Sequence, residues 1–465
     1  MRWPGVAGAR GLLAPSLVTL VLASGCTPDR APSVAGPPVI LISVDTLRAD
    51  ALHDEGGRTP AFDALAADGV DFDHAAAPMP FTLTSHMTLL TGLAPDVHGV
   101  FDEADRLPQG VETLATILSR AGYGTAAVVS SDWLAPAFGF GRGFDEYREI
   151  DLELTFASRV TRAALAALDR VIDDGRAPFL FVHYYDAHSD FESDGNERPY
   201  YASIEATSSL PPGCEEGLCA PDGSCATGFL LWATRNPTAV SGETRECLQA
   251  AYQAGVRDLD SGLSEFLAAL RDRGLYDRAV IVLTSDHGEE FGEHGQFIHA
   301  QTFGESLDVP LLVKLPDGER ASTVESAPSE LADVLPTILG ELGLALPSGT
   351  TGSDLLAPSR SLDRIRLAQN KYRKERYSLT LGTWRLIHDY VTAQSSLYDT
   401  DADPGELLDL AADEEERVTQ LRTLLDARLR RNRQLAVALA GEDERGAQVL
   451  DEAAKRRLEA LGYID

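Results

Sequence analysis

VILISVD, residues 39–45, is the stretch on which the fold turns. From Val39 to Val44 it is an almost continuous apolar, β-branched run, without the polar alternation of a strand that has one wet face. Such a run fits a parallel strand buried on both sides and ending at the carboxylate of Asp45. Two further runs share the design: FLFVHYY ends at Asp186, with His188 just beyond, and AVIVLTS ends at Asp286-His287. TAAVV (Thr125 to Val129) reads as another strand. Helical patterns lie between them, over Thr113 to Ala121, Thr155 to Asp173 and Glu246 to Arg273. Thr59-Pro60 supplies an N-cap and a first-turn proline for the helix AFDALAADG. Ser85 to Thr91 reads as a short helix with Thr82 just before its N-terminus. Strand and helix in alternation predict an α/β fold, a mostly parallel sheet sandwiched by helices. Sites in such sheets gather beyond the carboxyl ends of the strands, where Asp45, Asp186/His188 and Asp286/His287 fall.

The chain has 465 residues, which at about 150 per domain predicts more than one unit. Residues 38–350 carry the strand–helix pattern. From 351 to 465 short antiparallel strands near Arg376 to Thr380, Trp384 to His388 and Ser396 to Tyr398 precede charged helices, giving a smaller C-terminal α+β subdomain. The charged segment DARLRRNRQL there is read as a solvated helix face. With 44% hydrophobic and 24% charged residues the chain is an ordinary folded protein, not a disordered one. Its 40 Lys+Arg against 72 Asp+Glu leave a net charge of −32, which repels phosphate backbones, so no nucleic-acid partner is expected.

The N-terminus reads as an export leader over residues 1–25: Arg2 and Arg10 precede the apolar run LLAPSLVTLVLASG. Ala23-Ser24-Gly25-Cys26 resembles a bacterial lipobox, so Cys26 is expected to carry a lipid anchor to the membrane, with residues 26–37 as a tether. The expected location is the bacterial cell envelope. Cys214, Cys219, Cys225 and Cys247 sit in or beside a Gly/Pro-rich insertion at 190–246. An even cluster of this kind fits disulfides in an oxidising compartment, and no C-x-x-C pair supports zinc instead. The sequence does not choose among the three pairings that four cysteines allow.

Six segments carry a resemblance: ILISVDTLRAD, TPAFDALAADGVDFDHA, FTLTSHMTLLTGLAPDVHGV, FVHYYDAH, TSDHGEEFGEHG and RLEALGYID. In this order they are similar to sulfatase-like members of the alkaline phosphatase superfamily, over residues 38 to 465 apart from the insertion. The resemblance implies a metal-dependent hydrolase acting on an anionic sulfate or phosphate ester. It also implies one divalent ion (Ca²⁺, Mn²⁺ or Zn²⁺) on Asp45, Asp286, His287 and Thr82, the imidazole favouring Mn²⁺ or Zn²⁺. Thr46 stands where relatives often have a second acidic ligand. Thr82 falls at the nucleophile position, where sulfatases convert Cys or Ser to formylglycine. Threonine, with its branched β-carbon, does not yield that aldehyde, so the hydroxyl itself is the expected nucleophile.

His86 stands where sulfatases have an Arg at the nucleophile and substrate, and His188 matches a substrate-contacting His. His299 falls where many relatives place a leaving-group Lys, and reads as a candidate general acid. The Lys and His that bind sulfate in relatives have no counterpart in VVSSDWL, residues 128–134. Asp186 and His188 are too close in sequence for the D-x-x-x-H pair of two-metal phosphatases. His98 and His294 are read as structural, Asp258 and Asp260 as surface or packing residues. The competing functions are an inactive binding protein on the same fold and an envelope phosphoryl-group transferase.

Overall fold

The run at residues 39–44 forms the centre of an eight-stranded sheet, flanked on both sides by the other two apolar runs. The structure, a computed structural model, describes residues 36–52, 59–150, 157–189, 214, 219–223, 227–358, 360–361, 363–370 and 375–439. In chain order the strands are β1 (Val39–Val44), β2 (Val70–Asp71), β3 (Ala75–Ala76), β4 (Gly124–Val129), β5 (Glu146–Glu149), β6 (Pro178–Tyr184), β7 (Val280–Ser285) and β8 (Glu290–Phe291). They continue with β9 (Phe297–Ile298), β10 (Leu311–Lys314), β11 (Thr323–Val324), β12 (Ser329–Glu330), β13 (Arg366–Gln369), β14 (Arg376–Leu381), β15 (Trp384–Asp389) and β16 (Gln394–Asp399). The helices are α1 (Pro60–Ala67), α2 (Thr82–Thr91), α3 (Pro95–His98), α4 (Leu114–Arg120), α5 (Ala157–Asp173), α6 (Thr227–Arg235), α7 (Gly242–Asp272), α8 (Gly304–Leu307), α9 (Val334–Glu341) and α10 (Glu415–Leu439).

The large sheet runs β11-β2-β10-β7-β1-β6-β4-β5, with β7, β1, β6, β4 and β5 parallel and β10 antiparallel to both neighbours. Strand alternation divides its residues between two cores. Ile40, Ile42 and Val44 pack with Leu180, Val182, Ile281 and Leu283 under α1, α5 and α7. Val39 and Leu41 pack with Phe179, Phe181, Val280 and Val282 under α2, α4 and α9. Ser43 shares the parity of Val39 and Leu41, and its register partners are His183 and Thr284. A polar row therefore crosses the carboxyl end of the sheet on the face that α2 covers.

Several local details differ from the sequence expectation. α2 begins at Thr82, three residues earlier than expected, and ends at Gly92, whose φ of 66° suits a residue without Cβ. Thr59 does not cap α1; its hydroxyl donates to the carbonyl of Leu52. The first amides of α1 instead donate to Asp260 of α7, Ala61 at 2.9 Å and Phe62 at 3.1 Å. Asp260 is thus a buried cap supplied from another helix. α7 starts before the expected Glu246, because Ser241 accepts from the Thr244 amide at 3.1 Å and sets its N-terminus.

The C-terminal sheet is an antiparallel meander, β13-β14-β15-β16. Its Leu379, Leu386 and Leu397 pack against Leu421, Leu425 and Leu429 of α10. β13 went unread in the sequence, and it touches the large domain through its backbone: Gln369 N donates to Pro78 O at 2.9 Å. Arg364 reaches Glu330 and Asp333, and Arg385 reaches Asp308 and Glu406. Cys214 and Cys247 form a disulfide, and Cys219 is disulfide-bonded as well. Cys225, the leader, Cys26 and the terminal RLEALGYID lie outside the described residues. Among the described residues no helix is long and apolar enough to cross a membrane.

Candidate active site

The carboxyl ends of β1 and β7 bring Asp45 and Asp286 together, and the next residue, His287, joins them. One ligand atom from each lies within 4.8 Å of the others, and all three side chains are buried. Asp286 Oδ1 accepts from the amides of Thr46 at 3.1 Å and His287 at 2.9 Å. Its Oδ2 has no hydrogen-bond partner among the described residues, and lies 3.3 Å from His287 Nε2 and 3.6 Å from His86 Nδ1. Burial, and after it the charge of Asp45, raise the Asp286 carboxyl well above the usual range. Two carboxylates facing each other inside a protein call for a cation. His287 completes the donor set: its Nδ1 donates to Gly288 O at 2.9 Å, so Nε2 is the nitrogen that turns to the two carboxylates. The residues present therefore fit a single divalent ion.

Thr82 opens α2 and turns its Oγ1 toward Asp45 Oδ2 at 3.4 Å. Four residues on, His86 Nδ1 donates to the Thr82 carbonyl at 2.8 Å, since a carbonyl only accepts. His86 Nε2 must then accept from Ser43 Oγ, also at 2.8 Å. Burial holds the ring neutral, well below the usual imidazole range. Both nitrogens are thus committed inside the protein. The substrate contact expected of His86 is not what this geometry offers; the ring instead braces the Thr82 peptide.

The other expected histidines converge on the same buried cluster. His188 Nε2 is 4.0 Å from Asp45 Oδ1, and the ring stacks on Tyr185 with centroids 4.3 Å apart. His299 Nδ1 is 3.3 Å from Glu289 Oε1, with its ring 4.4 Å from that of His287 and 5.3 Å from that of His188. Asp186 points elsewhere: its Oδ1 accepts from the first amide of α5, Ala157 N, at 2.7 Å, and burial pushes it up to about 7. His98 is buried against Thr88 and Val100, and His294 stacks on Phe303.

Two site residues escaped the sequence reading. His183 lies 3.3 Å from Asp45 Oδ2 through Nε2, while its Nδ1 accepts from Ser130 N at 3.4 Å. Burial lowers it to about 3, so it is a neutral donor beside Asp45. Ser130 belongs to the VVSSDWL stretch, so that segment supports the site through His183. Glu289, fully buried, is the partner of His299. A polar residue inside an apolar strand was the available signal for His183.

The loop after Asp45 is strained. Thr46 has φ 54°, a left-handed conformation that β-branched residues rarely adopt and that costs about 1–3 kcal/mol. Its carbonyl accepts from Tyr252 OH at 2.9 Å, the same hydroxyl that accepts from Arg48 N at 2.9 Å. Thr46 is fully buried, and its Oγ1 has no hydrogen-bond partner among the described residues. Ile298, just before His299, is likewise left-handed at φ 78°.

The family profile described as Sulfatase matches residues 37–344. The chain belongs to the sulfatase family. A second profile, N-sulphoglucosamine sulphohydrolase C-terminal, matches residues 292–435 of this sulfatase-family chain. Among curated relatives, the ulvan-active sulfatase of Formosa agariphila is 27% identical over 364 residues, covering 72% of this chain and 68% of that one. The phosphonate monoester hydrolase of Silicibacter pomeroyi superposes with a TM-score of 0.66 at 20% identity, covering 89% and 99% of the two chains. A protein solved with its substrate D-glucosamine-2-N,6-O-disulfate also gives 0.66 at 20% identity, covering 86% and 98%. At such identities the superpositions speak to the fold. As a member of this family the protein is a hydrolase of the sulfuric or phosphoric ester class, an enzyme type that depends on a metal.

Proposed function

We propose that this protein hydrolyses a sulfate or phosphate ester with the hydroxyl of Thr82 as nucleophile. The observation that carries the reading is Thr82 Oγ1 at 3.4 Å from Asp45, in the same buried cluster as Asp286 and His287. Asp45, Asp286, His287 and Thr82 would hold one divalent ion, Mn²⁺ or Zn²⁺ suiting an imidazole-containing set better than Ca²⁺. Bound there, the ion supplies positive charge that acidifies the hydroxyl and stabilises charge on the ester oxygens. Thr82 Oγ1 attacks the sulfur or phosphorus, its proton passing to Asp45 Oδ2. His299, oriented by Glu289, gives a proton to the departing alcohol, and His188 contacts the ester oxygens. The Thr82 ester is then cleaved by water, which restores the hydroxyl. His86 and Ser43 keep the Thr82 peptide in place throughout.

Export and a lipid anchor at Cys26 are part of the proposal. The Cys214–Cys247 disulfide supports an oxidising compartment. Fatty-acid labelling of the wild type but not of Cys26→Ala is the expected result. The catalytic reading is tested by assaying aryl sulfate, phosphate-diester and phosphonate esters, and by searching rapidly quenched protein for a covalent ester on the Thr82 peptide. An ester found on another residue would overturn the assignment.

A further inference from the structure

The hairpin that leads to His299 has little ladder of its own. Its strands β8 and β9 are two residues each, Glu290 paired with Ile298 and Phe291 with Phe297, and so short a ladder is marginal by itself. The chain then turns through Ile298 at φ 78°, where a β-branched residue is strained. Two side chains supply what the ladder lacks, one on each flank of the histidine. Upstream, the hydroxyl of Thr234 on α6 accepts from Phe297 N and donates to Phe297 O, each at 3.1 Å. Arg245 adds to this hold, donating to Gly292 O at 2.7 Å with its guanidinium over the Phe297 ring. Downstream, Glu290 Oε1 accepts from Ala300 N at 2.9 Å and from Gln301 N and Ser306 Oγ at 2.8 Å. Backbone groups on both sides of His299 are thus fixed by side chains. The residue between them is buried, its ring beside those of His287 and His188.

We propose that Thr234 and Glu290 are positioning residues for His299, an inference that rests on the reading of His299 as the acid for the departing alcohol. As the bond from the ester oxygen to sulfur or phosphorus breaks, a proton on the His299 ring passes to that oxygen and leaves the ring neutral. The water that later cleaves the Thr82 ester returns a proton to the ring. Such a transfer needs ring and oxygen at hydrogen-bond distance, and a misplacement of about 1 Å costs on the order of 10²-fold. Glu289, 3.3 Å from Nδ1, sets the rotation of the ring but not the place of the backbone that carries it. Thr234 and Glu290 set that place. Thr234 and Arg245 both lie in the insertion at 190–246, which thereby takes part in the chemistry through the hairpin.

The test is steady-state hydrolysis by full-length protein supplied with Mn²⁺, on nitrophenyl and phenyl esters of sulfate, methyl phosphate and methylphosphonate. Nitrophenol leaves as its anion unaided, whereas phenol, which ionises near pH ~10 as tyrosine does, needs the proton. His299→Gln should lower kcat on the phenyl ester by about 10²-fold or more and keep the nitrophenyl ester within about threefold. Thr234→Val and Glu290→Ala should show the same selectivity, about tenfold or more on the phenyl ester with KM unchanged. Thr234→Ser and Glu290→Gln keep the bonding oxygens and should stay within about threefold of wild type on both esters. Added to His299→Gln, Thr234→Val should cost less than about twofold more, because it acts through the histidine. Equal losses on the two leaving groups, no loss in Thr234→Val, or its full loss again in the double variant overturns the proposal. Thr234→Val decides the matter if Glu290→Ala does not fold, since valine matches threonine in shape. If His299→Gln shows the selectivity and Thr234→Val does not, only the positioning fails. If His299→Gln shows none, or wild type hydrolyses none of these esters, the underlying acid reading falls and the positioning with it.

Discussion

Thr82, the proposed nucleophile, is placed by a relay of small contacts. Ser43 Oγ donates to His86, His86 donates to the Thr82 carbonyl, and Thr82 Oγ1 meets Asp45. Removing the hydroxyl should therefore stop the chemistry: Thr82→Ala is expected to lower kcat on aryl esters by at least about 10³-fold, while Thr82→Ser keeps measurable turnover. Ser43→Ala should leave His86 Nε2 buried without a donor and destabilise the fold by about 1–3 kcal/mol, read in urea unfolding. Asp45, Thr82, Asp286 and His287 were legible because each sits where a pattern changes, at the end of an apolar run or the start of a helix. His183 was hidden because a histidine inside FLFVHYY reads as one tolerated polar residue. Only the register, which sets it beside Ser43, shows that it faces Asp45. His86 was legible as a residue but not in its direction, since sequence spacing does not say which side of α2 meets β1.

At the scale of elements, carboxylates from distant segments hold helix ends. Asp260 of α7 caps α1, so Asp260→Ala should cost about 1–2 kcal/mol, measurable as a fall in Tm. Asp186 anchors α5 and has its carboxyl raised to about 7, above the ordinary aspartate value near ~3.9. The native state therefore prefers the protonated group. Its contribution is complete below about pH 4 and is lost as pH rises through about 7. Asp186→Asn keeps an oxygen for the Ala157 amide and does not ionise. The variant should gain Tm relative to wild type as pH rises from about 4 to about 7, and a difference that does not change with pH would contradict this. The parallel strands were readable because burial on both faces leaves an unmistakable apolar run. The caps were not, because the acceptor for α1 lies far along the chain. β13 was missed for a related reason: RLAQ has no alternation, and its pairing with β14 and contact with Pro78 define it.

For the whole molecule, the buried acidic pair couples the site to stability. An ion that binds the native state and not the unfolded chain should stabilise it by about 2.7 kcal/mol at a hundred times its Kd. Adding Mn²⁺ to chelator-treated protein should thus raise Tm by a few degrees, and the gain should vanish in Asp286→Asn. The net charge of −32 adds self-repulsion that salt screens, so stability should also rise with moderate ionic strength. The overall plan was legible: a mostly parallel α/β sheet, then a smaller antiparallel unit. What sequence spacing did not reveal is how the two are joined, because the joining groups are a backbone bond from β13, apolar residues at the end of α10 and single charged side chains, all meeting partners far along the chain.

Arg364 is one of those groups. Its guanidinium lies 2.7 Å from Asp333 Oδ1 and 2.9 Å from Glu330 Oε2, and Asp333 is fully buried. During synthesis both carboxylates leave the ribosome before the arginine does. Until that arginine emerges they lack the guanidinium that bridges them, and sealing the segment from β12 into α9 away from water is unfavourable. The burial of Asp333 in the larger unit is thus expected to be favourable only once the start of its downstream neighbour has been translated.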